Sequence, residues 1–319
     1  MSQLISIIIP CYKASDTLDA VVANIKNEFQ KHIEYDYQII LVNDNSPDNT
    51  FETISKLCES DNKIIGLDLS KNFGQTTATL AGINYASGEY AVCMDDDGQH
   101  PAEGIFQLVE KIKAGYDVVY ASFTHKKHSL FKRIVSNMNR MSRKLAGNQP
   151  GNVKISSFVA YSRLSISALQ EYKSPYPSVV GYLMQVTQRF TSIELPHHER
   201  LAGQSTYSLK KLIKLWSLSF FNFSVVPLRL SAHLGSFISI LGFAYSIYLI
   251  IRKIINPNVS AGYTSMMAII LIVGGLQMLM IGICGEYIGK TFISMCGKPQ
   301  FKVRTELNIN NKYEDNKNE

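Results

Sequence analysis

Two apolar runs constrain this chain more than any other feature. Leu230–Ile251 contains no Asp, Glu, Lys or Arg, and Met266–Ile283 is likewise free of charge. The first run matches the ~20 residues that cross a bilayer core, and the second reads as a further span. Arg252 and Lys253 close the first run, and a short connection through Pro257 and Gly262 leads to the second. The expected arrangement is a two-helix transmembrane hairpin over 229–288, with helices at about 230–251 and 264–285. Gly274 and Gly275 permit close helix contact, so a homo-oligomer is allowed. Glu286 reads as an interfacial residue beside Lys290 rather than a functional one. Ahead of the hairpin, Leu209-Lys210-Lys211-Leu212-Ile213-Lys214-Leu215-Trp216 puts lysines on one side and large apolar residues on the other. Residues 209–228 are therefore expected as an amphipathic helix region in the membrane interface.

Before about residue 225 the pattern is different. β-Branched or apolar runs at Leu4–Ile9, Ile39–Val42, Ile64–Leu69, Ala91–Met94 and Val118–Ala121 read as strands. Helical spacing fills the intervals: Asp16 to about Lys31, Asn49 to about Glu59 with Asp48 as N-cap, Gln75–Ala86, and Ile105–Ala114. Strands alternating with helices predict an α/β domain over 1–208 with a mostly parallel sheet. Residues 289–319 are expected as a tail, polar and Asn-rich from Leu307.

The fourth strand ends in Asp95-Asp96-Asp97, and Gly98 and Pro101 stop its continuation. Three adjacent carboxylates repel unless a cation or a strong donor set neutralises them. Mg²⁺ uses one or two carboxylates together with substrate phosphates. A solvated acidic turn is the plainer alternative, but it needs no apolar strand to deliver it. Asp44 follows the second strand, so both acidic points fall on one edge if the strands are parallel, the edge where open α/β sheets bind ligands. Taken alone, Asp44 reads equally as a turn carboxylate, and Tyr12 as a base-stacking ring or a packed tyrosine. Residues 125–150, rich in Lys, Arg and His, read as a solvated helix face or a surface for diphosphate or anionic lipid.

Net charge is +6, with Lys+Arg 32 against Asp+Glu 26. That suits a membrane surface or a phosphate-bearing ligand. Basic residues are not interleaved with aromatics, so nucleic acid is not implied. Cys11, Cys58, Cys93, Cys284 and Cys296 are scattered, which reads as reduced thiols and not as a disulfide or zinc framework. Met1 to Pro10 show no basic leader, so a cleaved signal peptide is not expected. Basic residues before the first span and after the second (Lys290, Lys298, Lys302, Arg304) place both flanks in the cytoplasm, with Arg252 and Lys253 opposing. The expectation is a multi-pass protein of the inner (plasma) membrane with its catalytic domain in the cytoplasm.

Taken together, six motifs resemble family-2 glycosyltransferases of the dolichyl- or polyprenyl-phosphate sugar synthase type, including bactoprenol glycosyltransferases. They are Ile9-Pro10-Cys11-Tyr12, Val42 to Thr50, Lys71-Asn72-Phe73-Gly74-Gln75, Met94 to Pro101, Glu199 to Leu209, and Gly285 to Lys290. The resemblance covers about Ile7 to Val303. It implies a nucleotide-diphospho-sugar transferase (GT-A) fold. By it, Pro10, Tyr12, Val42 and Asp44 hold base and ribose. Asp95 and Asp97 match the Asp-x-Asp acids that position Mg²⁺ or Mn²⁺ on the diphosphate, with Asp96 between them at the nucleotide sugar. Gln99 falls beside the sugar, and Arg200 contacts the donor diphosphate. Ser205 and Tyr207, with Lys210, are the candidates for the acceptor phosphate. The chain departs from the family at Lys13-Ala14 for Asn-Glu, at Thr206 for a lysine, and at Ser157 and Val159 for an acid and an arginine.

What the resemblance implies is inverting, metal-dependent transfer of a sugar from a nucleotide-diphosphate sugar to a membrane polyprenyl (undecaprenyl) phosphate, for cell-surface glycan assembly. A lipid phosphate, with its second pKa near ~6, attacks without a base. A sugar hydroxyl requires one. The absent acid at Ser157 therefore favours the phosphate. Transfer to a hydroxyl of a lipid-linked glycan is the alternative on the same fold. A catalytically impaired nucleotide-sugar-binding membrane partner is the alternative from another class.

Overall fold

The computed structural model describes residues 2–123, 153–175, 177–196, 226–255 and 262–309. They fall into two compact units, one of Met1–Ser208 with Pro299–Glu319 and one of Leu209–Lys298.

The first unit is built on β1 (Gln3–Cys11) and β2 (Tyr35–Asn43), parallel neighbours in register from Gln3 opposite Tyr35 to Cys11 opposite Asn43. Period-2 alternation sends Ile5, Ile7 and Ile9 into one apolar cluster and Ile8 into the other. All four are fully buried, each worth ~1.5–3 kcal/mol of transfer free energy. α1 (Leu18–Lys31), α2 (Thr50–Ser60) and α4 (Gly104–Lys113) cover the first face, and α3 (Gln75–Ile83), α5 (Arg163–Glu171) and α6 (Val179–Val186) the second. α1 buries Leu18, Val21, Val22, Ile25 and Phe29, the expected stripe. α3 seats closely on β1: a Cβ at Gly82 would lie 2.5 Å from Ile8 Cγ2.

The sheet has the order β7-β5-β6-β4-β1-β2-β3-β8. Its other members are β3 (Ile64–Leu69), β4 (Tyr90–Cys93), β5 (Val118–Phe123), β6 (Val159–Tyr161), β7 (Phe190–Leu195) and β8 (Val303–Leu307). Among the described residues four of the seven strand pairings are parallel, so the sheet is mostly parallel, as expected. β6 runs against both β4 and β5.

The expected tail from 289 takes a different course. Its first residues continue a helix to Met295, and β8 then adds antiparallel to the free edge of β3. An unpaired edge strand presents donors and acceptors that any returning segment can satisfy. Leu307 lies over Gly66, and Asn308 Nδ2 donates to the carbonyls of Cys58 (2.6 Å), Asp61 (3.3 Å) and Ile64 (3.0 Å). The expected N-cap moves as well: Asn49 holds the cap position of α2, while Asp48 accepts from the Thr50 N–H and hydroxyl.

The second unit contains α7 (Val226–Ile255) and α8 (Tyr263–Met295). Among the described residues one stretch is long and apolar enough to cross a membrane, Ile272–Met295, with a shorter apolar piece at Gly235–Tyr245. Contact between the two helices is seen at Gly235, where a Cβ would sit 3.1 Å from Met280. Among the described residues nothing lies within 4 Å of a Cβ built at Gly274 or Gly275. Glu286 pairs with Lys290 at 3.1 Å, as a surface ion pair.

Candidate active site

Parallel pairing brings the carboxyl ends of β4, β1, β2 and β3 to one edge, and four loops meet there. Asp95 is held on both oxygens. Gln75 Nε2 donates to Oδ1 and the Ser157 hydroxyl to Oδ2, each at 2.7 Å. Each carboxylate oxygen keeps a second lone pair, so these bonds orient Asp95 and leave it able to hold a cation. Its backbone N–H donates to His100 Nδ1 at 3.0 Å, which assigns the neutral imidazole's proton to Nε2, 3.6 Å from Asp95 Oδ2. Phe158 and Phe123 stack on His100 at 4.8 and 5.5 Å.

Asp96 turns inward. Its Oδ2 accepts the Tyr12 N–H at 3.0 Å, and its carbonyl accepts the Thr17 hydroxyl at 2.7 Å. Burial, with the charges of Asp95 and Asp97, pushes its carboxyl up to about 6, against the lowering effect of the Tyr12 N–H. Thr17 occupies the N-cap of α1, yet its hydroxyl serves the acid loop and not its own helix. Asp97 Oδ1 accepts the Gln99 N–H at 3.1 Å.

Asp44, only 3% exposed, accepts the Phe73 N–H on Oδ1 (2.7 Å) and the Gly74 N–H on Oδ2 (2.8 Å). Gly74 has φ +90°, where a side chain would be strained, and it opens α3. The acid thus shapes the Lys71–Gln75 loop, which in turn delivers Gln75 to Asp95. Tyr12 is about half exposed, so it is not a packed tyrosine. Val42 is fully buried in the core facing α3, and Pro10 is buried as its strand partner. Any part these two play in ligand contact runs through their backbone. Arg200, Ser205, Tyr207, Lys210, the 125–150 basic stretch and the interface helix from 209 lie outside the described residues.

A divalent cation fits this edge as a shared ligand. Among the described residues no three His, Cys, Asp or Glu side chains converge on a point. Asp95 and Asp97, two carboxylates on the loop after β4, are the donor set that a Mg²⁺ completed by substrate phosphates would require. The three buried cysteines are poorly disposed to form thiolates. Burial raises the Cys11 and Cys93 thiols well above their ordinary range and pushes Cys58 up to about 11.

Residues 6–170 match the model of the family Glycosyl transferase family 2, and residues 226–291 match the GtrB C-terminal hairpin. The chain belongs to glycosyl transferase family 2. It is 32% identical to the undecaprenyl-phosphate 4-deoxy-4-formamido-L-arabinose transferase of Yersinia pestis, over 94% of this chain and 92% of that one. It is 31% identical to the bactoprenol glucosyl transferase of Shigella phage SfV, over 95% and 98%. An uncharacterised glycosyltransferase of Bacillus subtilis, YkcC, is 32% identical over 96% and 95%. Glucosyl-3-phosphoglycerate synthase from Mycobacterium tuberculosis, solved with Mn²⁺ and uridine-diphosphate-glucose, shares the fold at TM-score 0.50 and 16% identity. That match covers 67% of this chain and 76% of that one. This glycosyltransferase therefore carries a GT-A domain, and the sequence resemblance to the family stands.

Within the family frame, reading the sequence missed Gln75, His100 and Thr17 as neighbours of the acids. Gln75 and His100 fall inside the Lys71–Gln75 and Met94–Pro101 motifs, which is the signal the sequence offers. Thr17 had none.

Proposed function

We propose that this glycosyltransferase moves a sugar, with inversion, from a nucleotide-diphosphate sugar to undecaprenyl phosphate, with Mg²⁺ or Mn²⁺ at Asp95 and Asp97. One observation carries the reading: similarity over nine-tenths or more of both chains to proteins named for sugar transfer to undecaprenyl phosphate and bactoprenol.

The chain course supports a membrane hairpin. It leaves the catalytic unit at 208 and rejoins it at 299, where β8 enters the same sheet. A chain with both flanks in one folded unit crosses a bilayer an even number of times. α7 and α8 supply two crossings. That puts both flanks on one side, and the five free cysteines with the basic residues flanking the spans favour the cytoplasmic side of the inner membrane. On this reading the parts are 1–208 with β8 as catalytic domain, 209–228 at the interface and 229–288 in the membrane.

A bound cation would supply Lewis-acid stabilisation of the departing diphosphate. The protein's own residues do the rest. Gln75 and Ser157 fix the Asp95 rotamer, and Asp97 is braced by the Gln99 N–H. Asp96 ties the acid loop to Tyr12, so the diphosphate and base ends of the donor site move as one piece. Ser157 donates a hydrogen bond and is no base, which suits an acceptor phosphate already ionised at neutral pH.

A panel of nucleotide sugars offered with Mg²⁺ or Mn²⁺ and undecaprenyl phosphate tests this by nucleoside diphosphate release. Mild acid should free the sugar from the lipid product. A product stable to mild acid replaces the phosphate acceptor with a glycan hydroxyl.

A further inference from the structure

Arg304 lies on β8, the strand that follows the last apolar helix, yet its guanidinium reaches the loops at the active edge. Nη1 lies 3.3 Å from Asp68 Oδ2, and Nη2 donates to Ser70 O at 2.8 Å and Asn45 Oδ1 at 3.5 Å. Asp68 is 6% exposed, and its other oxygen accepts from Asn43 Nδ2 at 2.7 Å. Asn43 Oδ1 accepts the Ser46 N–H at 3.1 Å, closing the turn in which Asn45 adopts φ +52°. The Ser70 N–H returns to Lys302 O at 2.9 Å. One side chain thus joins the turn after β2 to the loop after β3, on either side of Asp44 and the segment Asp44 holds.

Strand order gives these loops a task. The acid triplet ends β4, and β1 separates it from β2. At ~4.8 Å per strand, the Asn43–Ser46 turn lies ~10 Å from the acids, about the reach from a diphosphate to its nucleoside. A buried carboxylate such as Asp68 is costly unless a cation or several donors meet its oxygens, as Arg304 and Asn43 do.

We propose that Arg304 is a positioning residue of the donor site, fixing its nucleoside end through Asp68, Asn43 and Asn45. This rests on the nucleotide-sugar reading above. Donor binding then depends on a residue encoded after the membrane hairpin, while the chemistry at Asp95 and Asp97 does not.

The test uses the full chain in detergent, titrated by calorimetry with UDP, GDP, CDP and dTDP in the presence of Mn²⁺. For the diphosphate that binds wild type best, Arg304→Ala should weaken binding and raise the donor KM about tenfold, leaving kcat within about twofold, since a lost pre-organising contact costs ground-state and transition-state binding alike. Arg304→Lys, which keeps one charge near Asp68, should recover most of that loss. Asn45→Gly removes the side-chain acceptor, keeps a residue that tolerates φ +52°, and should show a smaller loss of the same kind without a lowered unfolding midpoint. Unaltered binding in both Arg304→Ala and Asn45→Gly overturns the inference alone. So does a fall in kcat at constant KM, or a lowered midpoint with no rescue by lysine. Wild type that binds none of the four diphosphates overturns the donor reading and this inference with it.

Discussion

The Ser157 hydroxyl and Asp95 are joined by a 2.7 Å hydrogen bond on the carboxylate oxygen opposite the one that Gln75 holds. A carboxylate clamped on both sides has little rotamer freedom left to lose on binding a cation. Ser157→Ala removes one clamp and should lower kcat about tenfold, the range in which loss of an outer-shell partner falls, with an unchanged melting midpoint. Ser157→Thr retains the hydroxyl and should retain most of the activity in the same steady-state assay.

Asp97→Ala should reduce transfer at least ~10³-fold, because it removes charge at the leaving group and not a packing contact. Chelation by EDTA should have the same effect on wild type, and added Mn²⁺ should reverse it. Full transfer by Asp97→Ala, measured as labelled lipid, would remove the metal assignment.

Asp44 has a structural task of its own. Asp44→Ala strands the N–H groups of Phe73 and Gly74, at ~1–3 kcal/mol for each unpaired donor. At the low end of that cost, ~2 kcal/mol for the two together, the thermal midpoint should fall by roughly 4–8 °C, at ~2–4 °C per kcal/mol for a domain of this size. Activity should fall too, since Gln75 loses its anchor. A midpoint equal to wild type would mean that the loop is held by something else.

An acid-stability difference should appear at Asp61. Burial raises its carboxyl, but Lys26 at 2.6 Å, the Lys63 N–H and the Tyr37 hydroxyl outweigh that and leave it below the ordinary range. A lowered folded-state value stabilises above the unfolded value of ~3.9 and is lost as pH falls through the folded one. Asp61→Asn should therefore melt below wild type at pH 7, by ~2 °C given the half-exposed lysine, and the gap should narrow as pH falls below ~3.9. Parallel melting curves from pH 7 to pH 3 would show that the pair contributes nothing.

Period and termination made the first five strands and four helices legible in the sequence, because each apolar run there is long enough to repeat. β6 was not legible. Val159–Tyr161 offers three residues, and its place between β4 and β5 is a matter of tertiary pairing. β8 alternates Val303, Thr305 and Leu307 within a polar stretch, a signal too short to outweigh composition. Asp95 and Asp97 could be named from strand ends and resemblance. The inward turn of Asp96 could not, since it depends on the Tyr12 backbone 84 residues away in sequence.

The capping of β3 by β8 also imposes an order on biosynthesis. A ribosome releases β3 early and β8 only after both long helices, so the sheet has an open flank while the apolar segments are being made. Open flanks recruit other strands, and a chain stalled before residue 303 should be sticky where the finished one is not. The catalytic sheet reaches its final form only when both long helices have already emerged. Completion of the domain is thereby timed by the position of one five-residue strand.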